Sequence, residues 1–152
     1  MREILFRGKS IVADSPNTPG HWLEGCYISR LLDFEDGKTV IEHNIIERSS
    51  YINIYLDMCT EVWPETVGQF TGLLDKNGRK IFEGDIVKTK YGRLCTVIWF
   101  SSPLENCWDL EIVNTVENLS TMCPDAGDLF EQKNLEVVGN IHDNPELSKS
   151  ST

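Results

Sequence analysis

The chain is short of several things, and each shortage excludes a class of protein. It has no apolar run near the roughly 18 consecutive residues that cross a bilayer as a helix, so no helical anchor is expected in its 152 residues. Its N-terminus places Arg2, Arg7 and Lys9 around the brief apolar core Ile4-Leu5-Phe6. A signal peptide needs an apolar region of about 7 to 15 residues, and a cytoplasmic location is expected. Close cysteine pairs are missing too. Cys26, Cys59, Cys95, Cys107 and Cys123 make an odd set of five, whose nearest members, Cys95 and Cys107, stand 12 positions apart. Zinc sites use tight Cys pairs, and small secreted scaffolds use even sets. Reduced thiols are expected, with Cys26 and Cys95 lying in apolar strand patterns as small buried hydrophobes.

Positive charge is scarce. Against 24 Asp and Glu there are 14 Lys and Arg, for a net charge of −10. Proteins that grip a phosphate backbone present a basic stripe, so direct binding to DNA or RNA is disfavoured unless Arg2, Arg7, Arg79, Lys80, Lys88, Lys90 and Arg93 gather into one patch. The same acidity admits two readings, a surface kept soluble by charge or a mimic of a phosphate backbone that occupies a nucleic-acid-binding protein.

Catalytic and metal patterns are sparse as well. His21, His43 and His142 are far apart, and none has a His or Cys at ligand spacing on one element. No Gly-rich loop leads from a strand into a helix, as phosphate cradles require. No catalytic residue, metal or cofactor is assigned, although Cys107, Cys123 and His142 could converge from a distance. Fixed-period repeats, low-complexity tracts and heptads are also missing.

What is present reads as β structure organised around Thr66 to Val87, TVGQFTGLLDKNGRKIFEGDIV. Val67 to Leu73 is rich in strand formers and interrupted by Gly68 and Gly72, where a bulge or close backbone approach is permitted. Asn77-Gly78 is the strongest short hairpin signal, as both residues tolerate the positive φ of a type I′ turn. Gly84-Asp85 then breaks the pattern before Ile86-Val87 resumes it. The Asp85 carboxylate is suited to accept backbone N–H groups and fix that corner.

Pro64 to Val87, PETVGQFTGLLDKNGRKIFEGDIV, resembles the signature of the YopX family. Arg2 to Lys9, Trp22-Leu23-Glu24-Gly25-Cys26-Tyr27 and Glu136 to Leu147 resemble further family segments in the family's order, so the likeness covers nearly the whole chain. Two departures are His142, where an aromatic such as Tyr is usual, and a longer connection from Ser15 to Gly20. The resemblance implies an origin in bacteriophages or prophages, a mainly β fold whose C-terminal part is similar to SH3-like barrels, and no established activity.

Taken in order, the chain divides into an N-terminal β unit over 1–63, a C-terminal SH3-like barrel over 64–147 and a polar tail over 148–152, with little helix. Strands are expected over Glu3 to Lys9, Trp22 to Leu32 with a bulge at Gly25, and Thr39 to Ile46, the last two joined by a turn holding Asp36-Gly37. Tyr51 to Met58 alternates most cleanly, with Ile52, Ile54, Leu56 and Met58 on one face. Tyr51 and Tyr55 on the other face are candidate partner contacts or cross-strand cover. Leu94 to Phe100 is apolar on both faces and is expected at the centre of the barrel. Leu110 and Ile112 mark a half-exposed strand, and Leu135 to Ile141 a closing one. The expected function is a phage or prophage accessory protein without enzymatic activity, which binds another protein or assembles with itself. An acidic decoy and a small enzyme with a dispersed site are the alternatives.

Overall fold

Strand-forming alternation becomes ten antiparallel strands in the computed structural model, which describes residues 4–12, 20–33, 37–47, 59–113 and 134–148. The chain splits into two units, Met1–Gln69 and Phe70–Thr152. The strand expected over Tyr51 to Met58, with its candidate contacts Tyr51 and Tyr55, falls outside the described residues, as do residues 149–152.

The first unit holds β1 (Phe6–Lys9), β2 (Trp22–Asp33), β3 (Thr39–Glu47) and β4 (Cys59–Glu61), in the spatial order β4-β3-β2-β1. On the far side of β1 comes the start of β5 (Gly68–Leu74), paired as Phe6↔Gln69 and Arg7↔Gly68. Leu23, Ile45 and Val62 are fully or nearly fully buried, with Phe6, Tyr27 and Val67 packed on them. The Tyr27 hydroxyl and His43 Nδ1 share a hydrogen bond beside this core. Pro64 starts a single 3-10 turn, Pro64–Thr66, whose Thr66 hydroxyl donates to the Trp63 carbonyl and accepts from Lys9 N–H. A proline fits there because the first position of a helical turn has no N–H partner to lose.

Two expectations for this unit change. Gly25 carries no bulge, since register runs unbroken from Gly25↔Glu47 to Asp33↔Thr39. Glycine is needed there because a Cβ would stand 1.9 Å from the Ile46 carbonyl oxygen. Cys26 is exposed rather than buried, because Leu23 and Tyr27 take the core face and leave Cys26 on the other side of the strand.

In the second unit the rest of β5 pairs with β6 (Lys80–Phe82), Phe70 opposite Phe82 and Leu74 opposite Lys80. The register shifts between those pairs, and Gly72 sits in the shift with φ 86°. Four strands, β7 (Asp85–Lys88), β8 (Leu94–Ser101), β9 (Asn106–Ile112) and β10 (Glu136–Asn140), form a sheet in the order β10-β7-β8-β9. Its core is Ile81, Val87, Cys95, Val97, Leu110, Leu135 and Val137. The short helix α1 (Pro145–Ser148) follows. The fold is thus mainly β, built from antiparallel sheets, and among the described residues no sheet closes on itself. Strand β8 is interior to its sheet but fully buried on one face only: Cys95 and Val97 are fully buried, with Trp99 exposed at the end of that same face, whereas Ile98 and Phe100 on the other face are half-buried. Apolar residues on that second face misled the reading of periodicity, because aromatic residues stabilise half-covered sheet faces as readily as cores.

Two carboxylates fix the chain's corners. Asp85 is fully buried, and its Oδ2 accepts from Phe82 N–H at 2.8 Å across the Gly84 corner. Asp75 does more. The hairpin is not a two-residue type I′ turn: Gly78 N–H donates to the Asp75 carbonyl at 2.9 Å, which places Lys76 and Asn77 at the corners and Gly78, with φ 80°, after them. The longer loop leaves the Asp75 side chain free to fold back. Its Oδ1 accepts from Asn77 N–H at 2.8 Å and Arg79 N–H at 2.9 Å, and its Oδ2 accepts from Val137 N–H of β10 at 3.0 Å.

Burial by itself raises the pKa of such a group, but the N–H donors of Val137, Arg79 and Asn77 and the Arg79 charge outweigh it, and the Asp75 carboxyl lies below the ordinary value of 3.8. A folded pKa below the unfolded one stabilises the fold at pH values above the unfolded pKa, and that contribution is lost as pH falls through the folded one. Asp75→Asn turns one acceptor into a donor facing Val137 N–H. It is expected to cost about 1.5–3 kcal/mol at neutral pH, a difference that shrinks in acid below the ordinary Asp range, as urea unfolding at several pH values will show.

Candidate functional site

Two turns of the second unit share one plan. Asp75-Lys76-Asn77-Gly78-Arg79 joins β5 to β6, and Thr89-Lys90-Tyr91-Gly92-Arg93 joins β7 to β8. In the second, Gly92 N–H donates to the Thr89 carbonyl at 2.9 Å, Thr89 N–H to the Arg93 carbonyl at 2.9 Å, and Arg93 N–H to the Thr89 hydroxyl at 3.3 Å. Gly92 has φ 82°, matching Gly78. Each turn therefore runs acceptor side chain, lysine, variable residue, left-handed glycine, arginine. Only Gly adopts that last turn conformation without strain, and a short acceptor at the first position satisfies N–H groups that the loop would leave open.

The shared plan delivers cations to one place. A cleft of about 570 Å³ is lined by Lys76, Lys88, Lys90, Tyr91, Asn134 and Glu136, together with Thr89 and Gly92. Lys76 N–H donates to the Leu135 carbonyl at 2.9 Å, which carries the first turn to the foot of β10, and its ammonium meets the Glu136 carboxylate at 2.7 Å. Glu136 also stands opposite Lys88 in the β10–β7 register. The Tyr91 ring is 64% exposed, with Lys90 Nζ 5.0 Å and Arg93 Cζ 5.9 Å from its centre. Three ammoniums against one carboxylate make this a positive cleft on a chain of net charge −10.

The residues singled out in the sequence sit elsewhere. Gly68 and Gly72 lie in β5, Asn77 and Gly78 in the first turn, and Gly84 and Asp85 at the corner; none lines the cleft. Of the scattered basic residues, Lys88, Lys90 and Arg93 come together around Tyr91, while Arg7 belongs to the first unit and lies over the Trp22 ring at 4.7 Å. Sequence reasoning missed Lys76, Tyr91 and Glu136; the signal was the paired D-K-N-G-R and T-K-Y-G-R, a repeat of turn type rather than of fixed period. Among the described residues no three His, Cys, Asp or Glu side chains could hold a metal ion. The Cys107 thiol is pushed up by desolvation and by the Glu105 and Asp109 carboxylates, which keeps it in its less nucleophilic form.

A second surface lies on the first unit. The β2–β3 ribbon carries Ile28, Leu31, Val40 and Ile41 exposed, with Leu31 63% and its cross-strand partner Ile41 54% accessible. Arg30 and Glu42 pair at 2.9 Å on the opposite face of the ribbon from Leu31 and Ile41.

The Lys76–Glu136 pair is substantially solvated, at 45% and 38% side-chain exposure. Exposed pairs contribute about 0–1 kcal/mol. Glu136→Gln is therefore expected to leave the urea midpoint nearly unchanged, which separates the electrostatics of the cleft from the stability of the fold.

Comparison with the curated proteins gives no match. Among solved structures, the crystal structure of protein EF1440 from Enterococcus faecalis is similar to this chain, at 23% identity, covering 98% of this chain and 100% of that one with a TM-score of 0.49. The family model described as YopX protein matches residues 22–149, and the chain belongs to that family.

Proposed function

We propose that this protein is a binding module without catalytic activity, an accessory protein of phage or prophage origin that works inside the host cell and assembles with a second copy of itself through the β2–β3 ribbon. The observation that carries the reading is the exposed cross-strand pair Leu31 and Ile41, side by side on one face of two long paired strands, with Ile28 and Val40 on the other face. Isolated exposed aliphatics are ordinary, whereas a contiguous group marks an interaction surface. The pairing of Leu31 with Ile41 favours a second copy as the occupant: under a two-fold axis Leu31 of one ribbon can meet Ile41 of the other, so that face is complementary to itself.

Magnitudes place such an assembly in the weak range. A buried Leu, Ile or Val contributes about 1.5–3 kcal/mol when fully removed from water. Leu31 and Ile41 of two ribbons, already partly covered, therefore gain on the order of 5 kcal/mol, at the low end of the 4–15 kcal/mol cost of association. Net charge of −10 on each copy opposes approach, and salt screens that repulsion. The second unit is read as SH3-like, a reading supported by the β5–β6 hairpin, the Gly84-Asp85 corner, the β7–β8–β9 meander and β10 returning beside β7.

Sedimentation velocity tests the assembly. The native chain is expected to dimerise only at millimolar concentration and more strongly as salt rises, while Leu31→Lys with Ile41→Lys is expected to be a monomer with an unchanged far-UV spectrum. A native chain that stays monomeric at high concentration, or a double variant that still dimerises, overturns the proposal.

A further inference from the structure

The twin-turn cleft points to a second activity, independent of the ribbon and located in the other unit. We propose that it binds a compact anion of mononucleotide size: one or two phosphate groups, held by Lys88 and Lys90, joined to a flat unsaturated ring that rests against Tyr91.

Three observations carry this. Size comes first, since about 570 Å³ falls within the range of small-ligand pockets, roughly 300–1,000 Å³. Charge comes second. Lys76 is already engaged by Glu136 at 2.7 Å, whereas Lys88, exposed on β7, has no ion pair among the described residues. Lys90 projects from the turn beside the Tyr91 ring, so two ammoniums on adjoining elements flank one opening. The third observation is the ring itself, 64% exposed at the edge of a cationic cleft. An exposed aromatic side chain gives any base a π-face to stack on, and the neighbouring ammoniums are placed to meet the attached phosphate.

The rest of the chain sets the length of the ligand. At 0.1 M salt the Debye length is about 10 Å, so a short anion inside the cleft responds to the local lysines. An extended strand would run beyond that distance over a chain carrying 24 carboxylates against 14 cations. A single phosphorylated unit gains the attraction without the repulsion. Glu136 tunes the site: it draws on Lys76 and faces Lys88, so its neutralisation strengthens anion binding.

The full chain, labelled with 15N, is titrated with adenosine monophosphate, inorganic pyrophosphate, adenosine and a twelve-nucleotide oligothymidylate. Adenosine monophosphate is expected to give saturable shifts at the amides of residues 88–93, with adenosine about tenfold weaker or worse. Lys88→Ala and Lys90→Ala, both at exposed positions, are each expected to weaken binding about tenfold, the equivalent of about 1.4 kcal/mol. Tyr91→Leu should weaken the nucleotide and spare pyrophosphate, and Glu136→Gln should tighten both. Absence of saturable shifts at millimolar nucleotide, lysine variants that bind like the native chain, or an oligothymidylate that binds more tightly than the mononucleotide each overturns the proposal. Far-UV spectra of the variants show whether the fold is retained, and pyrophosphate binding by Tyr91→Leu provides the internal control.

Discussion

One carboxylate, that of Asp75, ties a local turn to a strand 62 residues away. Burying an ionised group costs free energy unless hydrogen bonds replace its water. Asp75 receives that replacement from three backbone N–H donors, two within its own turn and one on β10. The arrangement decides more than the shape of a loop. It fastens the β5–β6 hairpin to the start of the last strand, brings Lys76 to Glu136 and so completes one wall of the cationic cleft. It also occupies an N–H on the outer edge of β10, an edge that would otherwise be open to strand addition.

The same device recurs where the chain changes direction. Asp85 pins the corner into β7, and Thr89 caps the second turn. At the C-terminal end Asn140 accepts from both His142 and Asp143 N–H groups, while Asn144 packs so closely on Gly139 that a Cβ there would stand 2.4 Å from its Oδ1. Short polar side chains thus hold the corners of a protein whose apolar core, among the described residues, lies in small clusters. The recognisable family segments around Asn77-Gly78, Gly84-Asp85 and Gly139-Asn140 are explained by these backbone requirements.

Much of the fold was legible because alternation and turn chemistry are local. Strands β2, β3 and β8, the hairpin at Asn77-Gly78 and the accepting role of Asp85 all follow from neighbouring residues. What depended on distant partners was not legible. Gly25 reads as a bulge until the Ile46 carbonyl is placed against it, and Cys26 reads as core until Tyr27 is seen to take that face. The extra reach of Asp75 could not be inferred from its own turn, since Val137 supplies the third donor. The cleft was hidden for a further reason: a net charge of −10 averages over the surface, whereas two like turns concentrate lysines at one point. Tyr51 and Tyr55 stay outside the described residues.

Ribbon and cleft are separate surfaces on separate units, but only the cleft depends on the Asp75 constraint. Following the amide signals of Asn77, Arg79 and Val137 by NMR as pH is lowered tests that constraint most directly. If one carboxylate serves all three, they move together on a single titration with its midpoint below 3.8, the ordinary value for the group. Three independent titrations, or a common midpoint at or above that value, would contradict the account.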